Sequence, residues 1–300
     1  MLSVSTALAR LQDGLGESFP DSPGTRIIDV AFPLNDAFDP LLWCGQQAQW
    51  PQFYWQQRNG DEELATLGAV KTFTSLDAAN RFLRQAGRQD LRICGLNAFE
   101  PQQGSLALPR LEWRRRGALL RTEALAGTVA NHQEDAKAQQ LADWLMKDDK
   151  NQRENMLVVE DICQRLQSEA STLDVLPPQV VRLRKVQHLR RCIWTELAAP
   201  DDSRCLLQLQ PTAAVAGLPR RAALAFIQRH EPFSREWYAG SAGYLSLAQS
   251  EFCVALRSAK VDHDTLRLYA GAGIVSGSDA QQEWQEIDNK AAGLRSLLCP

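Results

Sequence analysis

Short apolar runs separated by turn residues fill the first third of this chain, and helical periodicity takes over in the middle. Residues 1–18 carry the spacing of an amphipathic helix, broken between Pro20 and Gly24. Arg26-Ile-Ile-Asp-Val30, Gln52-Phe-Tyr-Trp55, Thr66-Leu-Gly-Ala-Val70 and Leu91-Arg-Ile-Cys94 alternate as antiparallel strands do. Ser75 stands in N-cap position for a helix reaching Gln85. Leu106 to Arg114 reads as a strand, and Ala118 to Thr128 as a strand running into a glycine turn.

From Glu134 to about Ser171 the pattern is helical, interrupted around Lys147-Asp-Asp-Lys150. Met156, Val159, Cys163 and Leu166 recur at helical spacing and predict a core-facing stripe. Pro177-Pro178 separates this region from a strand through Val180 and Leu183. Arg220 to His230 is helical, Phe252 to Leu256 and Leu266 to Tyr269 read as a strand pair, and a last helix spans Asp279 to about Leu298. Strands and helices in separate blocks predict an α+β fold with antiparallel sheet. No repeat of solenoid length occurs.

Composition changes this picture little. The chain has 300 residues, a net charge of -3, 44% hydrophobic and 23% charged residues, which argues against nucleic acid or an anionic membrane as partner. Seven scattered cysteines without a C-x-x-C pair favour reduced thiols in a cytoplasmic protein. The N-terminus has no signal-peptide pattern, and no stretch approaches the roughly 20 apolar residues of a membrane helix.

The chemistry concentrates near the C-terminus. An arginine (Arg257), a glycine-rich turn (Tyr269-Ala-Gly271-Ala-Gly273), carboxylates and a lysine are the equipment for holding a small polyanion with a divalent cation. Glu283, Glu286 and Lys290 are spaced i, i+3, i+7 and line one helical face. That face fits two readings: a solvated salt-bridge stripe, or a carboxylate on a hard cation with a lysine one turn further on. Glu154, beside its helix's apolar stripe, is the candidate second ligand, in competition with Glu160 and Asp161. Gly271 and Gly273 suit either an ordinary strand-end turn or backbone N–H groups close to an anion. The basic run Arg182 to Arg191 reads as a solvated basic face. The four histidines lack metal-ligand spacing, and no nucleophile elbow occurs.

Taken in order, Leu125-Ala-Gly-Thr128, Arg153 to Asp161, Leu209 to Gly217, Arg235-Glu-Trp-Tyr-Ala-Gly-Ser-Ala-Gly-Tyr244, Tyr269 to Gly273 and Glu283 to Ala291 resemble the chorismate-utilising enzymes. Within that family the strings are most similar to the isochorismate synthases of menaquinone biosynthesis, including Pro51 to Glu62 and Arg92 to Phe99. The resemblance implies a sandwich of two antiparallel sheets flanked by helices. It implies a Mg²⁺-dependent isomerase taking chorismate to isochorismate, with Glu154 and Glu286 as metal ligands. Arg257, Tyr269 and Lys290 would hold the chorismate carboxylates, helped by the backbone at Gly271 and Gly273. Residues 1–115 are expected to form the N-terminal part of the sandwich and 116–300 the chorismate- and Mg²⁺-binding part.

One departure bears on activity. Family members carry, before the Leu-Ala-Gly-Thr strand, a lysine on a Lys-Val-Val-Leu-Ala-Arg-like strand as general base, and a glutamate in a Ser-Pro-Glu-Arg-Leu-Trp-Arg-Arg-like stretch as general acid. Neither string is present here. Pro109-Arg-Leu-Glu-Trp-Arg-Arg115 runs directly into Arg116-Gly-Ala, so an internal segment is missing near 110–117. Arg110 falls where the acid belongs, and Lys71 has the wrong surroundings for the base. The expectation is an incomplete sandwich and impaired isochorismate synthase activity, with no catalytic acid or base. The alternatives are a non-catalytic remnant that binds Mg²⁺–chorismate and another chorismate enzyme such as a salicylate synthase.

Overall fold

The computed structural model describes residues 39–57, 63–89, 91–99, 104–112, 121–130, 135–182, 186–199 and 201–298. The expected helix over 1–18, the strand at 26–30 and the junction at 113–120 lie outside them, as do the side chains of 107–135. The chain divides into two compact units: Met1–Thr72 with Ala107–Arg115, and Phe73–Leu106 with Arg116–Pro300.

In the first unit, helix α1 (Pro40–Gly45) packs beside strands β1 (Gln52–Gln56) and β2 (Glu63–Phe73), which pair antiparallel from Gln52↔Leu67 to Gln56↔Glu63. Cys44, Ala65 and Leu67 form a small core against Tyr54. The Tyr54 hydroxyl donates to Glu63. Strand β4 (Gly104–Glu112) follows β2 in the sheet order, and its residues from Ala107 belong to this unit.

The second unit holds β3 (Arg92–Asn97), β9 (Ser241–Ser246) and β10 (Glu251–Val254), adjacent in that order. It also holds a four-stranded antiparallel sheet in which β8 (Val186–Leu197) pairs with β5 (Arg121–Ala130), β6 (Ala170–Val175) and β7 (Gln179–Arg182). A separate hairpin joins β11 (Ala259–Asp262) to β12 (Thr265–Leu268). The expected α+β class with antiparallel sheets holds.

Three local expectations change. Gly127 does not end its strand: β5 runs on to Ala130, and the register slips between Ala126 and Thr128, a bulge that absorbs the glycine. The long middle helix stops at Leu166, and Ala170–Val175, rich in small and β-branched residues, becomes β6. The C-terminal strand pair is really two hairpins. Glu251–Val254 pairs with Ser241–Ser246, and Thr265–Leu268 with Ala259–Asp262, since each has a partner across a far shorter loop than the one between them.

Helix α2 (Leu76–Ala86) starts where expected, with Ser75 Oγ accepting from Ala78 N at 3.3 Å. Helices α3 (Asp135–Lys147) and α4 (Asp149–Leu166) are separated by Asp148, whose carboxylate caps α4 by accepting from Asn151 N at 2.9 Å. The predicted stripe faces a core: Val158, Val159, Ile162 and Leu166 are buried with Ile193 of β8, and Met156 and Cys163 pack against them. Burying each such side chain contributes roughly 1.5–3 kcal/mol.

Polar bolts fix the helix further. Arg191 of β8 donates to Asn155 and to Gln152 Oε1, the latter at 2.6 Å, while Asn155 Nδ2 donates to Leu189 O at 3.3 Å. The basic run is therefore more than a solvated face, because Arg191 turns inward onto α4. At the other end Arg165 forms an ion pair with buried Asp161 at 2.6 Å and donates to the carbonyls of Gln208 and Pro211 at 3.1 and 3.0 Å. Asp161 also accepts from Ala213 N at 3.2 Å. This clamp joins α4 to the segment between α5 (Asp202–Leu209) and α6 (Ala213–Ala216).

Asp161→Ala leaves the Arg165 guanidinium enclosed without its counter-ion and should cost about 3–5 kcal/mol, read as a lower urea midpoint. A second expectation concerns alkaline pH. Burial, then the charges of Asp202, Glu169 and Asp201, push the Cys205 thiol up to about 11 from 9.0. The folded state thus holds this proton more tightly than the unfolded chain. Its contribution is complete below about pH 9 and is lost as pH rises through about 11. In Cys205→Ala the fall in urea midpoint between pH 8.5 and 11 should be shallower than in the parent chain.

Candidate chorismate and metal site

Four segments of the second unit converge on the predicted residues. The first is Arg235 to Gly240, ahead of β9. Arg235 is anchored by Glu231, by Val215 O at 2.7 Å and by the ring of Phe99, 4.4 Å below its guanidinium carbon. Glu231 closes α7 (Arg220–His230). This anchoring places Tyr238, and Ala239 N donates to Ala255 O at 3.0 Å, so the segment runs alongside the approach to Arg257.

The second segment is the β11–β12 hairpin. Tyr269 N donates to Ser258 O at 3.1 Å, continuing the ladder one pair beyond Ala259↔Leu268 and bringing Tyr269 beside the Arg257 backbone. Arg257 adopts a left-handed φ of 50° and is exposed, with no ion pair among the described residues. Tyr269 stacks on Tyr238, their centroids 5.2 Å apart and rings 14° from parallel. Burial pushes the Tyr238 hydroxyl up, opposed by the charges of Arg235 and Arg257. Lys260 Nζ, 2.7 Å from Glu236 Oε2, ties the hairpin to the first segment.

The third segment, Tyr269 to Val275, is irregular and carries the glycines. Neither Gly271 nor Gly273 has positive φ, so their role is the space that a missing Cβ leaves. A Cβ on Gly271 would stand 2.7 Å from the Tyr238 hydroxyl, and one on Gly273 would stand 3.2 Å from Glu154 Oε1. The loop lies directly against both the tyrosine stack and the carboxylate of α4.

The fourth is helix α8 (Ala280–Leu298), capped by Asp279, whose Oδ1 accepts from Gln282 N at 3.0 Å. Lys290 Nζ donates to Gly271 O at 2.9 Å and pairs with Glu286 Oε1 at 2.5 Å. Glu283 is buried and meets Lys150 of α4 at 3.2 Å. Burial first, and Glu286 next, push the Glu154 carboxyl above its usual range, with Lys150 and Lys290 pulling the other way and Glu283 adding to the rise.

The structure thus gathers Glu154, Glu286, Lys290, Gly271 and Gly273 into one locus, linked through Tyr238 to Tyr269 and Arg257. Of the competitors to Glu154, Asp161 is consumed in the Arg165 clamp and Glu160 is exposed. Sequence reasoning missed Lys150 and Tyr238. Lys150 looked like part of a helix break, although it lies i, i+4 from Glu154 on the same helix. A surface concavity of about 310 Å³ on the hairpin is lined by Lys260, Asp262, His263, Asp264, Thr265 and Arg267, the last of which bonds Tyr269. Among the described residues no group of three or more metal-ligating side chains comes together, and no helix is long and apolar enough to cross a membrane.

Gly271→Ala should force the Tyr238 ring or the loop to shift and loosen the Lys290 contact, at about 1–3 kcal/mol of stability. Gly273→Ala needs only a few tenths of an ångström of give from a side-chain carboxylate and should be milder. Thermal midpoints of the two variants check that order.

The comparisons with known proteins agree with one another. Residues 107–299 match the family described as chorismate binding enzyme. The isochorismate synthase MenF of Escherichia coli is 50% identical over 428 positions, covering 99% of each chain, and that of Pasteurella multocida is 40% identical over 272 positions, covering 88% of this chain and 63% of the relative. An alignment of 428 positions against 300 residues, matched at both ends, leaves an internal stretch of the E. coli relative without a counterpart here. The structure of E. coli MenF, described as the menaquinone-specific isochorismate synthase, superposes with a TM-score of 0.92 over 98% of this chain and 99% of that one. The Bacillus anthracis DhbC structure, at 20% identity and a TM-score of 0.75 over 86% of this chain and 99% of that one, shares the fold. Motifs, fold and relatives coincide: the chain belongs to the chorismate-binding enzyme family.

Proposed function

We propose that this chain is an isochorismate synthase by descent, built for Mg²⁺-dependent conversion of chorismate to isochorismate in menaquinone biosynthesis, which keeps the binding half of the site without the proton-transfer half. Residues 116–300 carry that binding half, and 1–115 the N-terminal part. The observation that carries this reading is the approach of Glu154 and Glu286 from two helices, with Lys290 held between Glu286 and Gly271. The 50% identity to E. coli MenF supports it.

The residues fit a divalent cation. Two carboxylates share one locus, and burial together with Glu286 makes the charged form of Glu154 costly, a cost that a hard cation relieves. Mg²⁺ bound by Glu154 and Glu286 would neutralise charge and polarise a substrate oxygen. Arg257 and Lys290 are the cations that would hold and orient the chorismate carboxylates, with the Gly271–Gly273 backbone against the ring substituents. Tyr269 borders that space, its ring fixed by Tyr238.

Isochorismate formation further needs a base for the water that attacks C2 and an acid for the hydroxyl leaving C4. The strings that hold both in the family are absent from this sequence. General acid and general base each contribute about 10²–10⁴-fold, so loss of both should lower turnover by at least about 10⁴. A cytoplasmic location, with scattered cysteines that form no disulfide among the described residues, goes with this reading.

The test is chorismate turnover with Mg²⁺ and with EDTA, isochorismate being resolved by chromatography beside a full-length relative. No isochorismate is expected above about 10⁻⁴ of the relative's rate, together with a Mg²⁺-dependent rise in thermal midpoint on adding chorismate. Metal-dependent isochorismate at the relative's rate would overturn the loss of acid and base. Pyruvate release would move the assignment to a lyase such as a salicylate synthase.

A further inference from the structure

A lysine in the first turn of a helix opposes the helix dipole, and Lys150 is the second residue of α4. Its position is explained by the neighbouring helix. Lys150 Nζ lies 3.2 Å from Glu283 Oε1, in the first turn of α8. The Glu283 side chain is 8% exposed, and an enclosed carboxylate needs a partner. Both turns are fixed by aspartate caps, Asp148 and Asp279. The pair sits one turn before Glu154 on α4 and one turn before Glu286 on α8, so it borders the locus read above as the metal site.

We propose that Lys150 sets the charge of that site by holding Glu283 away from the cation, a role that rests on reading Glu154 and Glu286 as the Mg²⁺ pair. Three carboxylates (Glu154, Glu283, Glu286) against two ammoniums (Lys150, Lys290) leave one negative charge. A divalent cation turns this into one positive charge, which attracts the two carboxylates of chorismate. With Lys150 gone, Glu283 becomes a third anionic neighbour of the cation and the loaded site carries one positive charge fewer. The metal is then held more tightly and the dianion more weakly. Lys150 thus trades metal affinity for substrate affinity.

The experiment is calorimetric titration of the parent chain, Lys150→Met, Lys150→Arg and Glu286→Gln with MgCl₂ alone, then with chorismate at saturating Mg²⁺. Thermal midpoints are recorded in parallel. Lys150→Met should bind Mg²⁺ about tenfold more tightly and chorismate about tenfold more weakly, the effect of one unit charge at partly screened range. Lys150→Arg should keep both constants near the parent values. Lys150→Gln repeats the measurement if the methionine variant folds poorly. A lower thermal midpoint with both constants unchanged, or both constants moving in one direction, overturns the proposal. Glu286→Gln separates the two levels. If it abolishes Mg²⁺ binding while Lys150→Met changes neither constant, the metal pair stands and the role of Lys150 falls. If Glu286→Gln binds Mg²⁺ like the parent, the metal pair falls and takes this proposal with it.

Discussion

Helix α4 must satisfy two opposed surroundings along one cylinder, and the geometry of the site depends on how it does so. One stripe, Val158, Val159, Ile162 and Leu166, is buried beside β8. The flank that carries Glu154 meets Gly273 and the charged side chains of α8. Apolar burial supplies most of the stabilisation but sets rotation only loosely, since a stripe of Val, Ile and Leu tolerates some roll. The directional contacts set it: Arg191 on Asn155 and Gln152 at one end, Arg165 on Asp161 and two carbonyls at the other. Charged and amide groups that look like surface decoration in the sequence thus determine where the Glu154 carboxylate points.

Across from it, α8 has a small core contribution and a dense charged face. Its alignment rests on its cap, on the Lys150–Glu283 pair and on the Lys290 contact with the Gly271 carbonyl. The glycine loop lies between the two helices' side chains and the tyrosine stack. The absence of two Cβ atoms lets Tyr238 and Glu154 approach its backbone. Glu154, far away in the chain, is thereby brought to Glu286 and Lys290, which are neighbours on α8.

Much of this was legible in the sequence. The core stripe of α4, the Ser75 cap, the Arg220–His230 helix and the glutamate–lysine face of α8 all follow from local periodicity and capping chemistry, which depend on a few neighbouring residues. Pairing was less legible, because Phe252–Leu256 and Leu266–Tyr269 are similar in pattern and only loop lengths decide their partners. Glu283 and Lys150 were not recognisable as a pair: they lie 133 residues apart, and each alone looks like an ordinary solvated charge. The Glu154–Glu286 relationship has the same long-range character and was reached through family strings rather than through spacing. The expected loss near 110–117 was read from absent strings at the junction of Pro109–Arg115 with Arg116, while the E. coli relative shows only that an internal stretch has no counterpart here.

The bolting of α4 at both ends has a consequence for how this part of the chain tolerates changes in length. One residue inserted between Asn155 and Val158 would rotate the Glu154 carboxylate about 100° around the helix axis relative to the buried stripe. No side-chain adjustment recovers that angle while Arg191 and Arg165 hold their partners. Three or four inserted residues would nearly restore the direction but displace it by about a turn, roughly 5 Å along the axis. Insertions and deletions should therefore be excluded from 154–166 in working members of this lineage.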